Sequence, residues 1–239
     1  MKYSALLTLF FILFISSDIY AKCVKHIVKP GETFSKIAEQ YSPLTSKHAS
    51  YVQRAATSNK YPLINEEITF FVPDKKWDID CEMVIQQRME CKGLEPTYEP
   101  KLIVAGIRSA TRQLGLNEVQ SFNLCIQAAV TAEQESMYRF AIGSAGEVGM
   151  FQFKLDTVRL TYRWYKSNLY DDSDEALVKK LISTMSAAYI YALHFQELKR
   201  RYGDIRLAWK HYNGGSSAEE YSERAMRRYK EIKRIEICK

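Results

Sequence analysis

Ala129-Val130-Thr131-Ala132-Glu133-Gln134-Glu135-Ser136, followed after six residues by Gly143-Ser144-Ala145-Gly146-Glu147-Val148-Gly149-Met150-Phe151-Gln152-Phe153, is the stretch around which the chain is organised. Small apolar residues run up to a last turn that presents glutamates, and a glycine-punctuated loop comes next. A helix ending in this way puts a carboxyl at the wall of a cleft whose floor is backbone. That suits an acid/base group facing an extended polymer. With the helix taken over residues 121–136, Leu124, Ala128, Thr131 and Glu135 fall on one stripe at spacings of four, three and four. Glu133 lies two residues back and points elsewhere, so Glu135 is the candidate for a shielded carboxyl with a raised pKa.

The flanks of this stretch read as helices. Ile103, Ile107, Ala110 and Leu114 form an apolar face that stops at Gly115, and residues 155–165 are helical again. Asp172 with Glu175 predicts a capping box opening one long helix, with Leu177, Leu181, Ala188, Ala192, Phe195, Leu198 and Tyr202 at core spacing and Gly203 at its end. A short helix over 204–211, the turn Tyr212-Asn213-Gly214-Gly215 and a last helix capped by Ser217 and Glu220, carrying Tyr221, Ala225, Tyr229 and Ile232, complete the pattern. Strand patterns are absent. For Tyr189, Tyr191 and Trp209 the expectation is core packing. Residues 101–239 therefore read as an all-helical domain, preceded over 75–100 by a docked connector with Trp77, Ile79, Met83, Val84 and Met89 on a packed helix.

Residues 22–74 read differently. Lys25-His26-Ile27-Val28 is a strand candidate, Pro30-Gly31-Glu32 turns the chain, and Thr33 caps a helix with Phe34, Ile37, Ala38 and Tyr41 at helical spacing. A second helix falls between Lys47 and Asn59, and the segment from Ile64 to Pro73 ends as a strand rich in β-branched and aromatic residues. This βααβ unit is too small for an enzyme core and ample for a binding module. The fold class expected is thus mainly α: an all-helical domain preceded by a small α+β module.

Composition bounds the partners. Lys and Arg outnumber Asp and Glu by 34 to 28, a net charge of +6, which favours an anionic polymer or surface but is far below the density of a nucleic-acid binder. No nucleic-acid partner is expected. Lys2, the apolar run from Ala5 to Ile15 and the small residue Ala21 read as an export signal over 1–21, cleaved after Ala21, with no integral membrane segment after cleavage. The protein is expected to be exported, either periplasmic or secreted. Cys23, Cys81, Cys91, Cys125 and Cys238 lack the close spacing of a structural zinc site and the four histidines are scattered, so neither a metal nor another cofactor is expected and disulfides are. Cys23 with Cys81, and either Cys125 or Cys91 with Cys238, are the pairings weighed.

His26-Ile27-Val28-Lys29-Pro30-Gly31-Glu32-Thr33-Phe34-Ser35-Lys36-Ile37-Ala38 resembles the opening of a LysM domain, the small fold that binds N-acetylglucosamine-containing glycans, and Ile64 to Pro73 keeps that family's apolar spacing and final proline. Glu67 stands where the family usually has glycine. The resemblance implies glycan contacts near Gly31, Glu32, Thr33, Tyr61 and Ile64.

The large domain resembles the family 23 lytic transglycosylases, lysozyme-like helical enzymes that cleave the peptidoglycan glycan strand. Glu135-Ser136 matches the catalytic Glu and the Ser after it, Gly146-Glu147-Val148-Gly149-Met150-Phe151-Gln152 the glycine-rich loop, and Tyr212-Asn213-Gly214-Gly215 the Tyr-Asn-Ala-Gly turn. Glu147 replaces the usual Ala and Lys154-Leu155 the usual Met-Pro. The resemblance implies a single catalytic carboxyl, Glu135, acting first as acid and then as base to leave 1,6-anhydro-N-acetylmuramic acid ends. Tyr212 would orient Glu135. Ser144, Gly149, Met150, Gln152, Tyr212 and Asn213 would bind substrate. Peptidoglycan strands are the expected partner, with other cell-envelope proteins as possible partners. The alternatives are a hydrolytic muramidase, with Glu147 as a second acid, and an inactive peptidoglycan-binding scaffold.

Overall fold

The structure is a computed structural model, and it describes residues 22–237 apart from 54, 58–59, 73–75 and 96–98. The export signal expected over 1–21 and Cys238 lie outside the described residues. The chain divides into two units after Ile79.

In the first unit, strand β1 (Lys22–Ile27) pairs antiparallel with β2 (Glu67–Val72), in a register running from Lys22 opposite Val72 to Ile27 opposite Glu67. Alternation along the strands puts Val24, His26 and Val28 with Ile68, Phe70 and Val72 on the buried face. Helix α1 (Phe34–Glu39) starts where Thr33 accepts a hydrogen bond from the Lys36 amide, and it buries Phe34, Ile37 and Ala38. A 3₁₀ turn (Ser46–His48) leads into α2 (Ala49–Gln53). Buried His26 spans the unit's polar centre. Its Nδ1 lies 2.8 Å from the Tyr41 hydroxyl and its Nε2 2.8 Å from Glu32 Oε2.

The second unit is helical: α3 (Lys76–Glu90), α4 (Glu99–Gln113), α5 (Glu118–Ser136), α6 (Leu155–Trp164), α7 (Asp174–Ile182), α8 (Thr184–Tyr202), α9 (Ile205–Asn213) and α10 (Ala218–Ile237), with a 3₁₀ turn at Asn168–Asp171. The division between units falls inside α3. Helix α5 is central: from Leu124 to Val130 every residue is buried, as are Thr131, Ala132 and Glu133. Its start is a reciprocal capping box in which the Asn117 side chain accepts from the Gln120 amide and the Gln120 side chain from the Asn117 amide. Helices α4 and α8 touch backbone to backbone at Gly106, where an added Cβ would lie 2.2 Å from the Met185 carbonyl oxygen. Helix α10 runs antiparallel to α5. Glu135 meets Tyr221 near one end, and Asn123 meets Tyr229 and Lys233 near the other. Among the described residues no helix is long and apolar enough to cross a membrane.

Three expectations are corrected. The long helix after residue 172 is two helices, because Ser183 is extended (ψ 113°) and its hydroxyl accepts from the Ser186 amide, so it ends α7 and caps α8 together. The cap of α7 is Ser173, not Asp172; its hydroxyl accepts from the Ala176 amide. The cysteines pair as Cys81–Cys125, Cα atoms 6.0 Å apart, rather than Cys23 with Cys81 or Cys125 with Cys238. Both members are fully buried, which joins α3 to α5, while Cys91 is free and exposed. Helix packing decides that pairing, and sequence spacing carries no trace of it.

Candidate active site

Helix α5 ends in a left-handed turn. Met137 (φ 53°) and Tyr138 (φ 59°) both take a conformation that costs an L side chain about 1–2 kcal/mol each. The Met137 and Tyr138 amides donate to the Glu133 and Ala132 carbonyls, which closes the helix and turns the chain sharply into the loop. Glu135 is left half-buried on the last turn. Two residues before it, Glu133 is buried and paired: Arg88 meets its two oxygens at 2.8 Å each, with Lys92 at 3.3 Å and Arg228 at 3.4 Å. One carboxyl is caged by cations, and the other is not.

The loop from Ala141 to Phe153 is built from backbone. Ile142 bridges to Val148 and Val148 to Phe153, a small departure from the strandless expectation. Gly149 (φ 84°) donates its amide to the Ala141 carbonyl at 2.9 Å, and a Cβ there would sit 2.4 Å from the Leu181 carbonyl oxygen, so the close approach to α7 requires glycine. The Gln152 amide nitrogen reaches back to the carbonyls of Gly149 (2.7 Å) and Ala141 (3.0 Å). The Ser136 hydroxyl is shared between the Met150 carbonyl (2.7 Å) and Ala132 (3.2 Å), so the residue after the candidate acid ties the helix end to the loop. Glu147 braces the same loop, with Oε2 accepting the Ala145 amide at 3.1 Å and Oε1 lying 3.7 Å from Lys154 Nζ.

Glu135 Oε1 accepts the Tyr221 hydroxyl at 2.6 Å. Tyr212, the orienting group expected from sequence, instead donates its hydroxyl to the Phe151 carbonyl at 2.7 Å, while its ring packs on Phe153 and His194. The correction has a physical cause. Tyr212 lies on α9 behind the loop, whereas Tyr221 sits on the α10 face that crosses the end of α5. Burial pushes the Glu135 pKa above the ordinary carboxylate range; the Tyr221 hydrogen bond opposes this, and the charge of Glu147 adds to it. The negative end of the α5 dipole acts in the same sense.

Behind Glu135, Thr131 gathers the hydroxyl of Tyr191 (2.9 Å) and the indole of Trp209 (3.0 Å), and Tyr191 stacks on Phe151 at 4.7 Å. Tyr191 and Trp209 are fully buried, and Tyr189 bonds to Gln113. Of the residues expected to contact substrate, Ser144 is exposed on the loop, Gly149, Met150 and Gln152 form its closed end, and Asn213 is exposed, with its side chain accepting the Gly215 amide at 3.3 Å. The loop's lip is apolar: Ile142 is 71% exposed, and Phe140 is also exposed.

In the first unit the expected binding residues split into two kinds. Gly31 (φ 79°) makes the turn, Thr33 is engaged as a helix cap, and Glu32 accepts from His26, the Lys29 amide (2.8 Å) and Gln40 (2.7 Å). Burial raises the Glu32 pKa, but those hydrogen bonds and the nearby His26 outweigh it and hold the carboxyl down to about 2. Tyr61 and Ile64, 66% and 59% exposed, have open side chains. Ile27 and Leu63 are exposed as well, and the 63–66 turn is stitched to Val28 by two backbone hydrogen bonds.

Comparison of the chain with protein-family models, with curated proteins and with solved structures returns no match. In sequence Tyr221 reads as a core position of the last helix and as one of two tyrosines behind the Tyr212-Asn213-Gly214-Gly215 turn, with no role attached to it. The signal that could have singled it out is that a buried tyrosine hydroxyl needs a partner.

Proposed function

We propose that the protein is a lytic transglycosylase of peptidoglycan, exported from the cell, with Glu135 as its one acid/base residue and the first unit as a LysM-type glycan-binding module. The observation that carries this reading is a half-buried carboxyl with a raised pKa at the end of α5, held by a neutral hydroxyl and facing a glycine-built loop. A carboxyl whose pKa is raised holds its proton to higher pH than an ordinary glutamate, as a general acid requires.

In the proposed reaction, Glu135 gives its proton to the oxygen linking N-acetylmuramic acid to N-acetylglucosamine, and the bond from that oxygen to C1 breaks. The muramyl 2-acetamido carbonyl stabilises C1. The Glu135 carboxylate then takes the proton of the muramyl 6-hydroxyl, whose oxygen closes onto C1, giving a 1,6-anhydro end without consuming water. Tyr221 steers the carboxyl through both transfers. Ser144, exposed on the loop, meets the sugar's polar groups, with Gly149, Met150 and Gln152 shaping the loop and Tyr212 and Asn213 the opposite wall. The hydroxyl and acetamido groups of each disaccharide suit a cleft with polar groups placed along its wall.

Glu147 is the observation that bears on the hydrolytic alternative. A muramidase requires a second carboxyl to activate water or attack C1. Glu147 Oε2 accepts the Ala145 amide of its own loop and Oε1 faces Lys154 at the start of α6, which favours a bracing role. The exposed side chains of Tyr61 and Ile64 support glycan contact by the first unit, while Glu32 and Thr33 support it by shaping the turn.

The test is muropeptide mass analysis after digestion of purified sacculi in water labelled with heavy oxygen. Anhydro ends without label are expected, and they should vanish in Glu135→Gln. Label at the muramyl reducing end would replace this reading with a hydrolase. A Glu135→Gln protein retaining half the wild-type rate would remove Glu135 as the acid.

A further inference from the structure

Tyr221 reaches Glu135 from another helix, so its placement depends on what fixes α10 against α5 at that level. The Gln134 side chain does this directly: its amide nitrogen donates to the Tyr221 carbonyl at 3.1 Å, and its carbonyl oxygen accepts from Arg228 Nη1 at 2.9 Å. An arginine only donates, so Arg228 permits one orientation of the Gln134 amide, the one that turns its NH₂ toward Tyr221. Arg228 is in turn oriented by buried Glu133, 3.4 Å from its Nε, which Arg88 grips from the other side. Tyr221 and Arg228 are seven residues apart on α10, two turns along the same face.

We infer that Gln134 and Arg228 are positioning residues for Glu135: anchored on Glu133, Arg228 sets the Gln134 amide, which holds the Tyr221 backbone and so keeps the Tyr221 hydroxyl on the acid. Three consecutive residues of α5 then have distinct tasks. Glu133 anchors, Gln134 transmits and Glu135 is the group positioned. This deepens the function proposed above and rests on it for what Glu135 does, but the coupling itself is a property of the folded chain.

The groups facing Glu135 are Tyr221 from α10, Glu147 from the loop, and Tyr191 and Tyr212 from α8 and α9. Of these Tyr221 alone donates to it, and that donation favours the ionised carboxyl. Losing it should move the Glu135 titration to higher pH.

The experiment is a double-mutant cycle on the full chain, read by NMR titration of the Glu135 carboxyl carbon and by kcat and KM on sacculi. Gln134→Met and Tyr221→Phe should each raise the Glu135 pKa, and the double variant should titrate like Tyr221→Phe alone. On sacculi, Gln134→Met should lower kcat about tenfold with KM nearly unchanged, within the ~10²-fold range for a misplaced group. Arg228→Lys keeps the charge but loses the fork that spans Glu133 and Gln134, so it should reproduce the Gln134→Met titration with helicity intact. An unmoved Glu135 titration in Gln134→Met, or an equal shift in both backgrounds, overturns the inference. If wild-type protein releases no muropeptides while the cycle behaves as described, the positioning network stands and the transglycosylase reading falls.

Discussion

Glu133 and Glu135 show how little residue type says about role. Both are glutamates on the last turn of one helix, yet Glu133 is buried among Arg88, Lys92 and Arg228 and Glu135 meets a phenol. Spacing put them on different faces, because a residue two positions away points elsewhere, but the more deeply buried of the two is Glu133 and not Glu135. What spacing could not supply was the partner. The turn Tyr212-Asn213-Gly214-Gly215 drew attention to Tyr212, whose hydroxyl goes to Phe151; the residue on Glu135 is nine positions later, and only the crossing of α10 over α5 brings it there. Glu147 supplies a test with a definite sign. Its negative charge raises the Glu135 pKa, so Glu147→Gln should lower that pKa. Because the first step needs protonated Glu135, activity is present below that pKa and lost as pH rises through it, and the alkaline limb of the kcat/KM profile should move to lower pH. The rate at the optimum should fall less than tenfold. An unchanged limb, or a loss of several hundredfold, would show that Glu147 acts otherwise.

At the scale of elements, most of the helices were legible because their apolar faces recur at three and four and their ends carry recognisable caps. Thr33 caps as expected, and Gly203 closes α8 at φ 68°. The break at Ser183 was not legible, since Leu177, Leu181, Ala188 and Ala192 keep a helical rhythm across it and the serine hydroxyl is the only local cue. Gly106 was equally silent: it lies within the apolar rhythm of α4, and its reason is the Met185 carbonyl of α8. Gly106→Ala gains about 1 kcal/mol of helix propensity but forces a methyl onto a backbone oxygen that cannot rotate away. The net expectation is a loss of about 2 kcal/mol, seen as a lower denaturation midpoint at an unchanged denaturant slope. A midpoint at or above that of the wild type would mean that α4 and α8 can separate at little cost.

For the whole molecule, the division after Ile79 gives the proposed roles separate carriers. A chain beginning at Lys76 keeps α3 intact, together with the Cys81–Cys125 bond and every residue placed around Glu135. It should still cut sacculi, while being retained less by insoluble peptidoglycan, with the deficit largest at low substrate density, where tethering raises effective concentration. Equal retention of the two forms would show that the first unit does not bind. The disulfide adds a dependence on surroundings. It closes a span of 44 residues, worth about 4 kcal/mol in the chain-entropy picture, a large part of the roughly 5–15 kcal/mol that holds a domain folded. Where cellular reductants keep Cys81 and Cys125 as thiols, the helical unit lacks that cross-link and the chain opens more readily. Where oxidants prevail, the link forms and the helix bearing Glu135 is clamped to α3, so the stability of the acid's own helix is set by the redox state around it.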